Sequence, residues 1–252
     1  MLSVIVDDTH DPAWNLALDE ALARSGTSTL FRIWQNAPSV IVGRFQDVDR
    51  AVDVAGCAQD GVRVVRRASG GAAVATGLGT LNFTLVRAAG GVPGRADARA
   101  SATAPAGPRS GAPTDLDTLV ATAVERFGPP APALRNGTLQ TARLRTRHAE
   151  LLHTALQVTP AGPEARHRVR SGGQETAPPA LADLGVDAPV DAIAEAVLTA
   201  AADEFGTVRA RRPNALERAC RDYLYATRYS DLTWHLLGGA DAPGQATAGT
   251  RG

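Results

Sequence analysis

The chain of 252 residues contains no lysine, so all 26 of its basic residues are arginines, and they are matched by 26 acidic ones. Without lysine there is no phosphate-binding P-loop, whose Gly-Lys-Ser/Thr core needs that cation. A formal net charge of zero removes the uniform positive field that would hold a phosphate backbone, so no nucleic-acid partner is expected. Cysteine is scarce: Cys57 and Cys220 lie far apart and build neither a disulfide framework nor a zinc spacing. Also absent are a dinucleotide fingerprint, an apolar leader with a cleavage site and any long apolar span, which points away from the membrane and toward a reduced cytoplasm.

Present instead is 44% hydrophobic content, enough for a buried core at this length. Leu2–Val6 reads as a strand, and Asn15–Arg24 as a helix with Leu16, Leu18, Ala21 and Leu22 on an apolar face. Strands follow at 29–34 and 40–43 around an Asn-Ala-Pro turn, then a helix over 49–61 that ends on a glycine. Gly61–Arg67 is a β-branched strand that leads two arginines into Ser69-Gly70-Gly71, where bare backbone can approach an anion or a ligand chain closely. Leu81–Val86 reads as the next strand. Residues 88–113, almost entirely small or polar residues, proline and arginine, read as a flexible loop, and 160–179 as a second poor stretch. A helix capped by Thr114 runs to Phe127, and others span 190–205 and 214–223. Residues 231–235 read as a strand, and 238–252 as a disordered tail.

Several segments, in this order, carry a family resemblance. They are Asp11-Pro12-Ala13-Trp14-Asn15-Leu16-Ala17-Leu18-Asp19-Glu20, Phe31 to Gln46 as a first hairpin, Arg66-Arg67-Ala68-Ser69-Gly70-Gly71, Arg135-Asn136-Gly137, and Leu151-Leu152-His153-Thr154-Ala155-Leu156. Together they resemble the lipoate–protein ligase A family, whose fold is shared with biotin protein ligases and octanoyltransferases. The resemblance implies an α/β (α+β) fold with a mixed sheet flanked by helices. It divides the chain into a ligase-like domain (1–185), a small C-terminal subdomain (186–237) and the tail (238–252). Residues 1–86 and 131–158 are expected to share one sheet. Ser69-Gly70-Gly71 would sit at its open edge, facing a pocket lined by Trp34, Val42, Ala73 and His153.

The resemblance also implies chemistry. A family ligase activates lipoate or octanoate with ATP and Mg2+ to an acyl adenylate, then passes the acyl group to a lysine of a lipoyl carrier domain. Substrate binding would fall to Arg67, Ser69, Gly70, Gly71, Ala73 and His153, and nucleotide binding to Asn136, Arg170 and Ser171 of Val169-Arg170-Ser171. The departures are specific. The family's lysine turn, expected between Asn136 and His153, has neither lysine nor a Ser-Gly pair here, and Thr76-Gly77 stands where the family has His-Asp. Arg143 and Arg145 are the candidate substitutes, although a planar guanidinium suits bidentate contact with one oxyanion better than bridging two. The expected function is acyl binding and transfer with impaired or altered adenylation. The alternative is a degenerate relative that binds an acyl ligand or a lipoyl domain as a regulator or scaffold. Cys57 and Cys220 read as structural.

Overall fold

A computed structural model of the chain describes residues 2–6, 8–26, 28–88, 115–128, 134, 138–160, 168–170 and 178–238. The loop expected at 88–113 lies, beyond Ala88, outside the described residues, as do the tail after Gly238 and most of 160–179.

Strand β1 (Leu2–Ile5) leads into helix α1 (Pro12–Ser25). Asp11 starts this helix by accepting from the amides of Ala13 and Trp14, while Pro12 occupies the first turn, where a missing N–H costs nothing. Then come β2 (Leu30–Trp34), β3 (Ser39–Val42), α2 (Val48–Ala51), α3 (Val54–Gln59), β4 (Arg63–Arg66), β5 (Val74–Thr76) and β6 (Thr80–Ala88). The second half contributes α4 (Leu116–Glu125), β7 (Leu139–Arg145), β8 (Ala149–Gln157), α5 (Val190–Phe205), β9 (Val208–Arg211), α6 (Ala215–Leu224) and α7 (Leu232–Leu237).

The strands form two sheets, not one. The larger has the order β7-β8-β6-β2-β1-β9, and the smaller β4-β3-β5. Both are mixed: β1 runs parallel to β2 and β9 while β6 is antiparallel to its neighbours, and β3 is parallel to β4 but antiparallel to β5. The expected first hairpin is therefore split between sheets. Its turn is pinned elsewhere, since Asn36 accepts from the Asn15 amide at 3.0 Å and donates to Thr76 Oγ1 at 3.2 Å.

Helix α1 lies between the sheets and explains why its polar residues are buried. Leu18 and Leu22 pack with Leu30, Val86 and Leu151 of the large sheet. Leu16 and Ala17 pack with Trp34, and with Ile41 and Val65 of the small one. The opposite face of the large sheet carries Phe31, Phe83 and Leu85 against Leu116 and Val120 of α4 and Ile193 and Val197 of α5.

Three local expectations change. The single helix over 49–61 is two, because Asp47 and Asp53 each cap a helix of their own and Val52 leaves the first to bridge Val169. Residues 231–235 are helical because Asp231 accepts from the Thr233 amide, and the turn this starts buries Trp234 and His235. The cap of α4 is Asp115, next to the expected Thr114. The segment 186–237 is spread over the body: α5 lies against α4, β9 is the edge strand beside β1, α6 covers α1, and α7 rests on β4. Among the described residues no helix is long and apolar enough to cross a membrane.

Candidate functional site

The end of β4 delivers two neighbouring arginines to opposite tasks, as strand alternation requires. Arg66 is buried and ties α7 to the small sheet: its guanidinium donates to the carbonyls of Gly43, Arg44, Gln46, Trp234 and Leu236. Its amide donates to His235 Nδ1 at 3.1 Å, so the proton of that ring sits on Nε2 and goes to the Tyr229 carbonyl. Arg67 turns the other way, into the glycine loop. It donates to Gly70 O through Nε (3.1 Å) and Nη2 (2.7 Å), to Ala72 O (2.9 Å) and to Ile41 O (3.3 Å). Among the described residues no carboxylate pairs with it. Burial pulls its pKa down to about 10, which leaves it charged at neutral pH.

The loop itself depends on two glycines. Gly71 has φ +98°, a conformation that side chains disfavour. A Cβ on Gly43 would lie 2.0 Å from the Gly71 carbonyl oxygen, so the strand end and the loop can cross only as bare backbone.

Between the two sheets lies a cavity of about 200 Å3. One wall comes from the small sheet and its loop, with Ile41, Arg67, Ala72, Val74 and Thr76. The other comes from the large sheet, with Trp34, Asn82, Gln140, Ala142, His153 and Ala155, and Leu16 of α1 lies between them. Trp34, His153 and the two flanks of the expected glycine turn, Arg67 and Ala72, thus meet at one site, whereas Ser69 lines a narrow cleft beside it and Gly70 and Gly71 line neither. Val42 and Ala73 do not line the site. They sit in the core on the far face of the small sheet, while the neighbours Ile41, Ala72 and Val74 face the cavity. That is a slip of one residue, and one residue changes the face of a strand.

At the glycine-turn end the Ser69 hydroxyl and His153 Nε2 are 2.7 Å apart. The other ring nitrogen, Nδ1, faces Asp19 Oδ2 at 3.8 Å, an electrostatic contact too long for a direct hydrogen bond. Asp19 is held by Arg32 Nη1 at 3.0 Å and by the Thr84 hydroxyl at 2.7 Å, which in turn accepts from Trp34 Nε1 at 2.9 Å. Burial, with help from the Arg67 charge, pulls the His153 pKa below the ordinary imidazole range, and Asp19 opposes that shift. The ring is therefore neutral at pH 7. Sequence reasoning missed Asp19, Arg32 and Thr84. The available signal was a charge inside an apolar pattern: Asp19 between Leu18 and Ala21, and Arg32 within Leu-Phe-Arg-Ile-Trp.

The candidate substitute cations point away. Strands β7 and β8 are joined by Thr146-Arg147-His148, closed by the Thr146 hydroxyl, which donates to Ala23 O at 2.8 Å and accepts from the amides of His148 and Ala149. Arg143 and Arg145 sit on Glu150 across the ladder, at 3.3 and 2.9 Å, with side chains 53% and 68% exposed. Only Gln140, Thr141 and Ala142 of β7 reach the cavity.

Of the expected nucleotide residues, Arg170 is engaged by the Asp49 carbonyl at 3.1 Å and by Asp53 at 3.6 Å, while Asn136 and Ser171 lie outside the described residues. Its neighbour Arg168 pairs with Asp53 and Asp60, so this segment is fastened to α2 and α3. Among the described residues no group of three or more His, Cys, Asp or Glu side chains could hold a metal ion. Burial pushes the Cys57 thiol up to about 11 and raises that of Cys220, so neither is an activated nucleophile.

Comparison with known proteins places these features in context. Residues 11–99 match the family model of the lipoyl protein ligase A/B catalytic domain. The fold is similar to that of protein Ta0514 from T. acidophilum, a candidate lipoate protein ligase solved with bound lipoic acid. The TM-score is 0.75 at 20% identity, over 93% of this chain and 98% of that one. It is also similar to a bipartite lipoate protein ligase of Thermoplasma acidophilum studied with its E2 lipoyl domain, with TM-score 0.72 at 20% identity over 94% and 96% of the two chains. A lipoate-protein ligase A bound with ATP gives 0.74 at 20% identity over 94% and 99%.

Proposed function

We propose, from the premise that the chain belongs with the lipoate–protein ligases through the catalytic-domain match over residues 11–99 and through its fold, that it binds a lipoate-like or octanoate-like acid and transfers the acyl group to a lysine of a lipoyl carrier domain. One observation carries the reading. The cavity has mostly apolar walls and ends at a buried, charged guanidinium, Arg67, whose polar partners are backbone carbonyls. Burying an alkyl chain there gains about 0.8 kcal/mol per methylene. An anionic head group at the Arg67 end is attracted by a charge that, among the described residues, no carboxylate pairs with. The similar proteins solved with lipoic acid and studied with an E2 lipoyl domain support the choice of ligand and partner.

The test needs no mutation: calorimetric titration of octanoate beside octanol. The reading expects one site and octanoate at least about tenfold tighter, a difference of roughly 1.4 kcal/mol. Equal affinities, or no binding of either, would refute it.

Activation is the weaker half of the family chemistry. The relative bound with ATP supports a nucleotide as co-substrate, and Mg2+ would accompany it. Of the expected nucleotide residues Arg170 is the one among the described residues, and it is engaged by Asp49 and Asp53. Arg170, so engaged, offers a nucleotide no free cation. The outward Arg143 and Arg145 favour a second reading, a degenerate relative that holds an acyl ligand or a lipoyl domain as a regulator in the cytoplasm. Incubation with an octanoyl donor and a lipoyl domain separates the two: amide formation on the carrier lysine supports transfer, and binding without transfer supports the regulator.

A further inference from the structure

We propose that the cavity selects an acid whose tail carries a hydroxyl group, and that Asn82 and Gln140 bind that hydroxyl over Ala155. The proposal rests on the acid-binding reading above and narrows its substrate class. Three observations carry it. Trp34, Asn82, Ala155 and Gln140 stand in one row across β2, β6, β8 and β7, and all four line the cavity. Asn82 is 6% exposed and donates from Nδ2 to the Trp34 carbonyl at 3.3 Å, which fixes its amide and leaves Oδ1 without a donor among the described residues. Gln140 Oε1 is buried and has no hydrogen-bond partner among them either. The residue between these two amides is an alanine, so its small side chain leaves the space above it to a ligand.

The hydroxyls and the indole of the cavity wall are already engaged. Thr76 is bonded to Asn36 and Ser39, Thr141 and Thr154 to each other and to Asp117, and Trp34 Nε1 to Thr84. A plain alkyl chain laid over Asn82 and Gln140 would cover two open acceptors with methylenes, an arrangement that folded proteins avoid. A hydroxyl removes the conflict. Its O–H donates to Asn82 Oδ1, and its oxygen accepts from Gln140, whose amide presents Nε2 after a half-turn about its last torsion. A second carboxylate would not serve, since it brings no proton to Asn82 Oδ1. A site that hydrogen-bonds a substrate hydroxyl rejects the analogue lacking it, because the site's own polar groups are then left unpaired.

The register also places the hydroxyl along the ligand. Ala142 and His153 form the next row of the same wall. Arg67 lies beside that row: a Cβ on Gly71 would meet Arg67 Nη2 at 2.7 Å and Ala142 Cβ at 3.8 Å. From there to Gln140 and Ala155 is two residues of strand, roughly 7 Å. With the carboxylate at Arg67, the hydroxyl therefore belongs in the outer half of an octanoate-length chain and not beside the carboxyl group.

The test is calorimetric titration of the full chain with ω-hydroxyhexanoate, ω-hydroxyheptanoate and ω-hydroxyoctanoate, each beside its unsubstituted parent, and with α-hydroxyoctanoate as the positional control. At least one ω-hydroxy acid should bind about tenfold or more tighter than its parent, and α-hydroxyoctanoate should gain nothing over octanoate. Asn82→Leu should bring that ratio close to one, because the acceptor is gone and the parent acid now meets an apolar wall. Gln140→Met, on the edge strand β7, should lower it by about threefold or more, and it decides alone if Asn82→Leu does not fold. A wild-type chain that binds octanoate but prefers no ω-hydroxy acid to its parent would overturn the hydroxyl assignment and leave the acid-binding reading intact. So would an equal gain with α-hydroxyoctanoate, or a preference that survives the substitutions undiminished. If none of the acids binds, the acid-binding reading falls, and this proposal with it.

Discussion

The two walls of the cavity differ in what they offer a ligand. The wall built from the small sheet and its glycine loop supplies a buried cation and bare backbone, and beside it the Ser69 hydroxyl reaches His153 of the large sheet. The wall built from β7 supplies Gln140, Thr141 and Ala142, and spends its arginines on Glu150 outside. The difference teaches that binding and activation are separable in this fold. The first needs an apolar slot and one fixed charge. On the reading proposed here the second calls for a further charge on the opposite wall, where β7 places Gln140, Thr141 and Ala142.

The largest break in this comparison should come from Arg67→Met. It removes the cavity cation and leaves the carbonyls of Gly70, Ala72 and Ile41 without their donor, at about 1–3 kcal/mol for each group left unsatisfied. Thermal melts should show the loss, and calorimetry on the folded fraction should show octanoate affinity down by about a hundredfold. Arg66→Met serves as control. It should lower the melting temperature comparably, because it frees the carbonyls that fasten α7, yet keep the octanoate affinity of the folded protein.

A sharper test adds what the poor wall lacks. Ala142 faces the cavity and lies close to Gly71. Ala142→Lys should tighten octanoate by roughly tenfold at low salt, a gain of ~1.4 kcal/mol that added salt reduces. No gain would mean that the β7 wall is not opposite the carboxylate.

A smaller effect concerns pH. Burial lowers the pKa of both His153 and His235, so the unfolded chain binds protons more readily than the native one. Stability is therefore fully present above the unfolded imidazole value of about 6.5 and is lost as pH falls below it toward the native values. Urea midpoints between pH 8 and 5 should decline, and less steeply in His235→Gln. A flat profile in the wild-type chain would contradict the neutral, buried rings. The smallest effect belongs to Arg143→Ala and Arg145→Ala, each expected within about 0.5 kcal/mol in stability and without effect on octanoate binding, since both side chains are solvated.

How far the sequence foretold this site depends on the range of each interaction. Arg67, Ser69, Gly70 and Gly71 were legible because the requirement is local: a strand end, a cation and a turn that only glycine closes. His153 was legible as a polar residue in an apolar strand. The second sheet was not, because β3 gains its partners from β4 and β5 far along the chain, and nothing in Ser39–Val42 names them. Ala73 and Val42 were misplaced by one residue, a matter of strand parity. The direction of Arg145 is set by Glu150, which reaches it only through the β7–β8 register. Residues 231–235 alternate like a strand, and only the Asp231 cap turns them into a helix. Asp19 was passed over as part of a helix face, although it is the carboxylate behind the histidine.

The central claim, binding without a second activating charge, is tested most directly by single-turnover formation of octanoyl adenylate. Purified wild-type protein is saturated with octanoate, as checked by calorimetry, then mixed with ATP and Mg2+, and the adenylate is quantified by mass. Loss of one preorganised charge typically costs roughly 3–4 kcal/mol, so the predicted rate is on the order of a hundred- to thousandfold below that of a lysine-bearing relative assayed alongside. Adenylate formation at a rate comparable to that relative would contradict the account, because it would require an activating cation that neither wall supplies among the described residues.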